Sequence, residues 1–159
     1  MKYLPVGLHI QDKKCVVVGG GKIGTRKVEN LLRAGATVVL VAPRASERVA
    51  SLAVSGEITW IRESFREEHL HGAFLAVAAT DDKGLNARLV EAAKRLGALV
   101  SDASAAQRSE FIFGALHHGD GLTVAVFTDG ENPSLARATR DRIAAFVSEG
   151  RGPESPATD

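Results

Sequence analysis

The chain has little of what anchors several classes of protein. Among its 159 residues there is one cysteine, one tryptophan, one tyrosine and five prolines. A single thiol, Cys15, excludes an intrachain disulfide framework, and its place at the head of an apolar run makes it a packing residue, in keeping with a reducing compartment. Charge of either sign is also lacking in excess, since 20 basic against 19 acidic residues leave a formal net charge of +1. A molecule without a global field gives no reason to expect nucleic acid or an anionic membrane as a partner. No apolar run approaches the roughly 20 residues that a helix needs to cross a bilayer. The opening Met1-Lys2-Tyr3-Leu4-Pro5-Val6 lacks the apolar core and cleavage site of a signal peptide, so a cytoplasmic setting is expected. A hydrophobic content of 45% with 25% charged residues is ordinary for a folded domain of this length.

Glycine, in contrast, is plentiful and placed. The run Cys15-Val16-Val17-Val18 stops at Gly19-Gly20-Gly21, and a helical pattern begins directly behind at Lys22. Gly19, Gly21 and Gly24 fit the G-x-G-x-x-G spacing of a dinucleotide-binding turn between a strand and a helix. In such a turn the first glycine makes the tight bend, the second lets backbone approach a pyrophosphate, and the third lets helix and strand pack closely. The amides at the helix start, around Lys22 and Ile23, would face the phosphates with the helix dipole behind them.

The order of elements gives the fold class. Buried strands are expected at Val16–Val18, Thr37–Ala42 (stopped by Pro43), Phe74–Ala79 and Ala98–Val100, with a more exposed one at Glu57–Arg62. Helical spacing follows in Ile23, Val28, Leu31 and Leu32, ending at Gly35. It recurs in Val49, Leu52 and Ala53 behind a Ser46 cap, and in Leu85, Leu89, Ala92, Ala93 and Leu96 ending at Gly97. Strand and helix in alternation predict an α/β, Rossmann-like, doubly wound and mostly parallel sheet with helices on both faces. Leu4–Ile10 reads as a further short strand. Near the C-terminus Glu110–Leu116 and Leu122–Thr128 read as a hairpin, looped by His117–Gly121 and set on the sheet edge. Asn132-Pro133 then starts a terminal helix, with Leu135, Thr139, Ile143, Phe146 and Val147 on one side of it. The expected organisation is one domain over residues 1–149 and a disordered tail over 150–159.

In a parallel sheet the chemistry belongs at the carboxyl ends of strands. Besides the glycine turn, three such ends carry candidates. At Pro43-Arg44 a ribose-reading acid would be expected, and none is there; Arg44 is either a solvated loop residue or a receptor for a 2′-phosphate. Thr80-Asp81 is small and polar enough to border the nicotinamide, while Asp81 or Asp82 could equally cap the next helix. Asp102, flanked by Ser101 and Ser104, is placed either as a general acid/base or as a turn cap. The histidines His69, His71, His117 and His118 lack carboxylate partners in sequence and read as surface residues, so no metal site is expected.

Taken together these segments resemble a family. Leu4-Pro5-Val6, the glycine run, Arg26-Lys27, Ala78-Ala79-Thr80-Asp81-Asp82, Val100-Ser101-Asp102-Ala103, Phe111-Ile112-Phe113 and Asn132-Pro133-Ser134-Leu135-Ala136-Arg137 appear in the order found in precorrin-2 dehydrogenases and the N-terminal region of siroheme synthases. The resemblance covers residues 4 to about 147. It implies NAD as cofactor, precorrin-2 as tetrapyrrole substrate, sirohydrochlorin as product and Asp102 as the catalytic residue. It further implies a homodimer, with Asn132, Ser134 and Arg137 toward the polycarboxylate substrate. Some members also insert iron; this chain has one helix after the hairpin where relatives continue, which points to the dehydrogenase alone. The segment from Asp102 to Phe111 is longer than in typical relatives. A non-catalytic module that senses dinucleotide is the alternative outside the enzymes.

Overall fold

The computed structural model describes residues 2–119 and 121–148, so the expected tail at 150–159 lies outside the described residues. The chain divides into two compact units, Pro5–Phe111 and a second built from Ile112 onward together with the first few residues.

The first unit holds a five-stranded parallel sheet. Its strands are β1 (Lys14–Gly20), β2 (Thr37–Ala45), β3 (Thr59–Ile61), β4 (Leu75–Ala78) and β5 (Leu99–Asp102), in the spatial order β3-β2-β1-β4-β5. That order reverses direction between β1 and β4, where open α/β sheets leave a crevice for ligands. The helices α1 (Lys22–Arg33), α2 (Glu47–Val54) and α3 (Lys83–Arg95) make the crossovers together with a short 3₁₀ turn at Glu67–Leu70.

Alternation along β1 shows how both faces are covered. Val16 and Val18 join Leu89, Val90, Ala92 and Ala93 of α3 in one core. Val17 points the other way, toward Gly24 of α1. All three valines are essentially inaccessible to solvent. Each such side chain contributes about 1.5–3 kcal/mol by leaving water, which is why a continuous β-branched run is stable here and nowhere on a solvated edge. Cys15 is fully buried in the same strand, and burial pushes its thiol up to about 11. It packs and does not react.

The second unit consists of the antiparallel pair β6 (Ala115–Gly119) and β7 (Leu122–Val126) with α4 (Pro133–Ser148). Asn132 caps α4 as expected, its Oδ1 accepting from the Leu135 amide at 2.9 Å. Arg140 of α4 donates from Nη1 to the Leu116 carbonyl at 2.8 Å.

Several expectations need correcting. Leu4–Ile10 forms no strand: Leu4, Val6 and Leu8 are exposed and only Ile10 is buried, so nothing repays ordering a segment that contains Pro5 and Gly7. β2 runs through Pro43 to Ala45 instead of stopping there. The register jumps from Val18↔Val41 to Gly20↔Ala45, so Ala42, Pro43 and Arg44 bulge opposite Gly19, and a bulge tolerates the missing proline amide. The hairpin is a separate two-stranded sheet and adds no strand to the edge of the parallel one. Its register is also shifted: Gly119 pairs with Leu122, so His117 and His118 lie in β6 and not in the loop, and Gly121 has φ +74, as a tight hairpin turn favours. On α4, Leu135, Ile143 and Phe146 are exposed and Ala136 is buried, so those three do not form the face that packs within this unit.

Candidate active site

The glycine turn is built by close packing, and each glycine can be assigned by what a side chain would strike. Gly19 has φ +113, a conformation that L side chains rarely adopt, and a Cβ there would run into the Ala79 backbone, with its carbonyl carbon at 2.6 Å. A Cβ on Gly20 would meet Ala45 Cα at 2.7 Å as well as the Arg44 carbonyl oxygen. One on Gly24 would overlap the Gly19 carbonyl oxygen. Gly21 differs: it has φ −77 and ψ −172, ordinary extended backbone, and a Cβ there would meet nothing within 4 Å. The fold therefore needs Gly19, Gly20 and Gly24 for its own packing, while the small size of Gly21 leaves a cradle open to a ligand.

Gly21 is also the N-cap of α1, and no side chain caps that helix end. The first amides of α1 are left to a ligand, and the helix has no acid in its first turn to compete for them. Lys22 and Ile23, the latter 46% exposed, stand beside the opening. Thr25 fastens the turn to the next strand, its Oγ1 lying 2.8 Å from Ser46 Oγ, while the Ser46 amide donates to the Gly20 carbonyl at 3.0 Å. Pro43 and Arg44 are exposed on the β2 bulge beside this turn. These features fit a dinucleotide, and the cradle at Gly21 is the observation that says so.

The neighbouring strand ends lie level with the turn. Val18 pairs with Ala78, and Ala78 pairs with Asp102. The glycine turn, Thr80-Asp81 and Asp102 therefore sit on three adjacent strands, with the two outer ones separated by two strand spacings, roughly 10 Å.

A polar network that the sequence reading missed joins the second and third of these ends. Its hub is Asn86 of α3, buried with no exposure at all. Asn86 Oδ1 accepts from the Thr80 amide at 3.2 Å and from Thr80 Oγ1 at 2.6 Å. Its Nδ2 donates to the Thr80 carbonyl at 3.0 Å and to Ser104 Oγ at 3.2 Å. Ser104 in turn donates to Asp102 Oδ1, from Oγ at 2.6 Å and from the amide at 2.8 Å. Arg108 closes the chain with Nε at 2.7 Å and Nη2 at 2.6 Å from Asp102 Oδ2. A buried asparagine in a helix of otherwise apolar spacing was the available signal for Asn86. Arg108 left none, because the short 3₁₀ turn Ala106–Arg108 that returns it to Asp102 has no periodic pattern.

Asp102 itself is inaccessible to solvent through its side chain. Burial alone would push its carboxyl up, but the Ser104 hydroxyl and amide and the Arg108 guanidinium outweigh it and hold the group below the ordinary aspartate value. It is ionised at neutral pH. Asp81 is exposed, and the α3 cap falls to Asp82, whose Oδ1 accepts from the amides of Gly84 and Leu85.

The remaining candidates, Asn132, Ser134 and Arg137, cluster on the first turn of α4 in the second unit. All three are exposed, and Arg137 Nη2 donates to Ser134 Oγ at 3.2 Å. Of the histidines, His69 is buried: its Nδ1 accepts from the Arg66 amide and its Nε2 lies 2.8 Å from Glu63, which fixes a connector. Among the described residues no cluster of three or more His, Cys, Asp or Glu side chains is arranged to hold a metal ion, and no helix is long and apolar enough to cross a membrane.

Comparison with known proteins places this arrangement. The family model described as "Putative NAD(P)-binding" matches residues 6–115. Siroheme synthase 1 of Pectobacterium atrosepticum is 38% identical over 147 residues, covering 92% of this chain and 31% of the relative. Siroheme synthase of Nitrosospira multiformis is 40% identical over 151 residues, covering 92% and 32% respectively. The chain thus spans about a third of the length of these curated relatives. Among solved structures, that of SirC, precorrin-2 dehydrogenase, is similar with a TM-score of 0.78 and 29% identity, over 90% of this chain and 70% of that one. With the glycine cradle, the strand order and these likenesses in agreement, the chain belongs to this "Putative NAD(P)-binding" family and is similar to siroheme synthases and to SirC.

Proposed function

We propose that this chain is a precorrin-2 dehydrogenase, oxidising precorrin-2 to sirohydrochlorin with NAD in the cytoplasmic synthesis of sirohaem. The observation that carries the reading is the register Val18↔Ala78↔Asp102, which sets an ionised carboxylate network two strands from an open dinucleotide cradle. The likeness to siroheme synthases and to SirC supports the choice of reaction.

Bound NAD supplies the hydride acceptor. The chain's own residues do the rest. Gly21 and the first amides of α1, at Lys22 and Ile23, hold the pyrophosphate. Pro43 and Arg44 border the adenosine ribose, while Thr80 and Asp81 flank the nicotinamide side, with Thr80 fixed by Asn86. Asp102 is the catalytic carboxylate. Ser104 at Oδ1 and Arg108 at Oδ2 hold it ionised, as a carboxylate that is to accept the substrate's proton must be. On the second unit, Asn132, Ser134 and Arg137 are exposed polar groups of the kind that bind a substrate carboxylate. The functional form is a homodimer, for which the exposed apolar side of α4 at Leu135, Ile143 and Phe146 is the natural contact surface.

An exposed arginine where a ribose-reading acid would stand favours one variant, with NADP in place of NAD. The test is anaerobic incubation of the protein with precorrin-2 and either dinucleotide, following the absorbance of sirohydrochlorin. Conversion with NAD above the protein-free rate is expected. Tight dinucleotide binding without conversion would instead leave a sensing module.

A further inference from the structure

Asp102 holds Arg108 in an unusual way, and the geometry points to a use for it. Both contacts from the guanidinium, Nε and Nη2, converge on one carboxylate oxygen, Oδ2. Nη2 also donates to Ser104 Oγ at 3.2 Å. One edge of the fork is therefore pinned. Nη1 has no partner among the described residues, and the side chain is 33% exposed while the aspartate beneath it is wholly covered.

An arginine held at Nε and Nη2, with the two N–H groups of Nη1 left over, is a preorganised receptor for an anion. Its planar donors suit a carboxylate, and little rotamer entropy remains to be lost on binding. Asp102 is wholly covered and Arg108 is a third exposed, so what an incoming carboxylate meets is the guanidinium and not the aspartate oxygens. The position matters as well. Arg108 returns to the end of β5, the strand next to β4, so an anion held there lies at the carboxyl edge of the sheet.

We propose that Arg108 is a substrate-binding residue that takes one carboxylate of the tetrapyrrole, and that Asp102 and Ser104 are the residues that position it. This rests on the function proposed above and deepens it, since precorrin-2 carries many carboxylates and one arginine fixed beside the reacting edge would set the ring's orientation. Asp102 then has two duties, which makes its replacement more damaging than that of Arg108.

The test uses the full chain. Binding of a stable porphyrin octacarboxylate, uroporphyrin, is followed by fluorescence, and steady-state kinetics with precorrin-2 and NAD are measured anaerobically in parallel. Arg108→Gln is expected to weaken porphyrin binding and raise KM by roughly 10- to 150-fold, the range for losing a charge-assisted hydrogen bond; kcat falls as well, because Asp102 loses a partner, so porphyrin affinity is the deciding readout. Arg108→Lys should recover part of the affinity by restoring the charge without the fork. Arg95→Gln, which breaks an exposed pair with Glu67, should change neither quantity. NAD affinity, measured on each variant, reports an intact fold. Unchanged porphyrin affinity and KM in Arg108→Gln, with NAD binding intact, would overturn the assignment. Arg108-dependent porphyrin binding by a wild-type protein that does not turn over precorrin-2 would uphold the receptor and remove the redox reading alone.

Discussion

The glycine turn makes a prediction that separates folding from ligand binding within four residues. Gly21→Ala places a methyl group where nothing lies within 4 Å, on backbone with φ −77 and ψ −172 that alanine adopts without strain. Folding stability should change by less than about 1 kcal/mol, because alanine narrows the unfolded ensemble while the N-cap position favours glycine over it. The same methyl fills the cradle. Pushing the phosphate off even one helix amide forfeits a charge-assisted hydrogen bond of about 1.5–3 kcal/mol, so NAD affinity should fall roughly 10- to 150-fold. Gly24→Ala should behave in the opposite sense. Its Cβ would overlap the Gly19 carbonyl oxygen, with the carbonyl carbon at 2.9 Å and Val17 Cγ1 at 3.8 Å, so helix and strand must part. Overpacking of this kind costs about 1–3 kcal/mol. At about 2–4 °C per kcal/mol, Tm should drop by roughly 2–12 °C. Thermal unfolding by circular dichroism and NAD titration by calorimetry read the two effects separately. If Gly21→Ala loses as much Tm as Gly24→Ala, or binds NAD like the wild type, the division of labour among these glycines is wrong.

Further expectations follow from buried polar groups. Asn86→Ala strips partners from the Thr80 amide and carbonyl and from Ser104 Oγ, and should destabilise the chain by about 2–4 kcal/mol in a denaturant titration; a change within about 0.5 kcal/mol, as at ordinary surface sites, would mean that the network is not built as described. Asp102 has a depressed carboxyl in the fold, so the stability it contributes is present above the unfolded aspartate value and is lost as pH falls through the folded one. Asp102→Asn should therefore flatten the acid limb of the stability curve, and an unaltered limb would contradict the ion pair with Arg108. Lys27 is 8% exposed, and burial first, then the neighbouring Arg26 charge, push its amine down to about 7. The fold binds fewer protons there than the unfolded chain between that value and the ordinary lysine range, so stability should rise with pH across that window; Lys27→Met should remove the slope.

Much of this could be read from the residues, for reasons tied to particular elements. β1 and β4 were legible because strands buried on both faces must be continuous apolar runs, and the glycine turn because three of its four glycines answer to packing. The position of Asp102 at a strand end was legible for the same reason. The network around it was not: Arg108 comes back through a 3₁₀ turn that no period encodes, and Asn86, a polar residue amid the apolar spacing of its helix, gave no sign that it holds Thr80 six residues earlier. The hairpin was misplaced along the sequence because Phe111, Ile112 and Phe113 look like strand, while the pairing runs from Ala115↔Val126 to Gly119↔Leu122. Proline at position 43 was read as a stop, yet the bulge opposite Gly19 carries β2 past it.

The central claim is that the cradle and the Asp102 network serve one oxidation, and a single-turnover experiment tests it most directly. Protein in excess over precorrin-2 is mixed anaerobically with NAD, and reduced nicotinamide and sirohydrochlorin are followed together by absorbance. The two should appear at the same rate and in equal amounts, and both should form more slowly with Gly21→Ala at a NAD concentration that saturates the wild type but not the variant. Sirohydrochlorin forming no faster than without protein, while NAD is bound, would contradict the account.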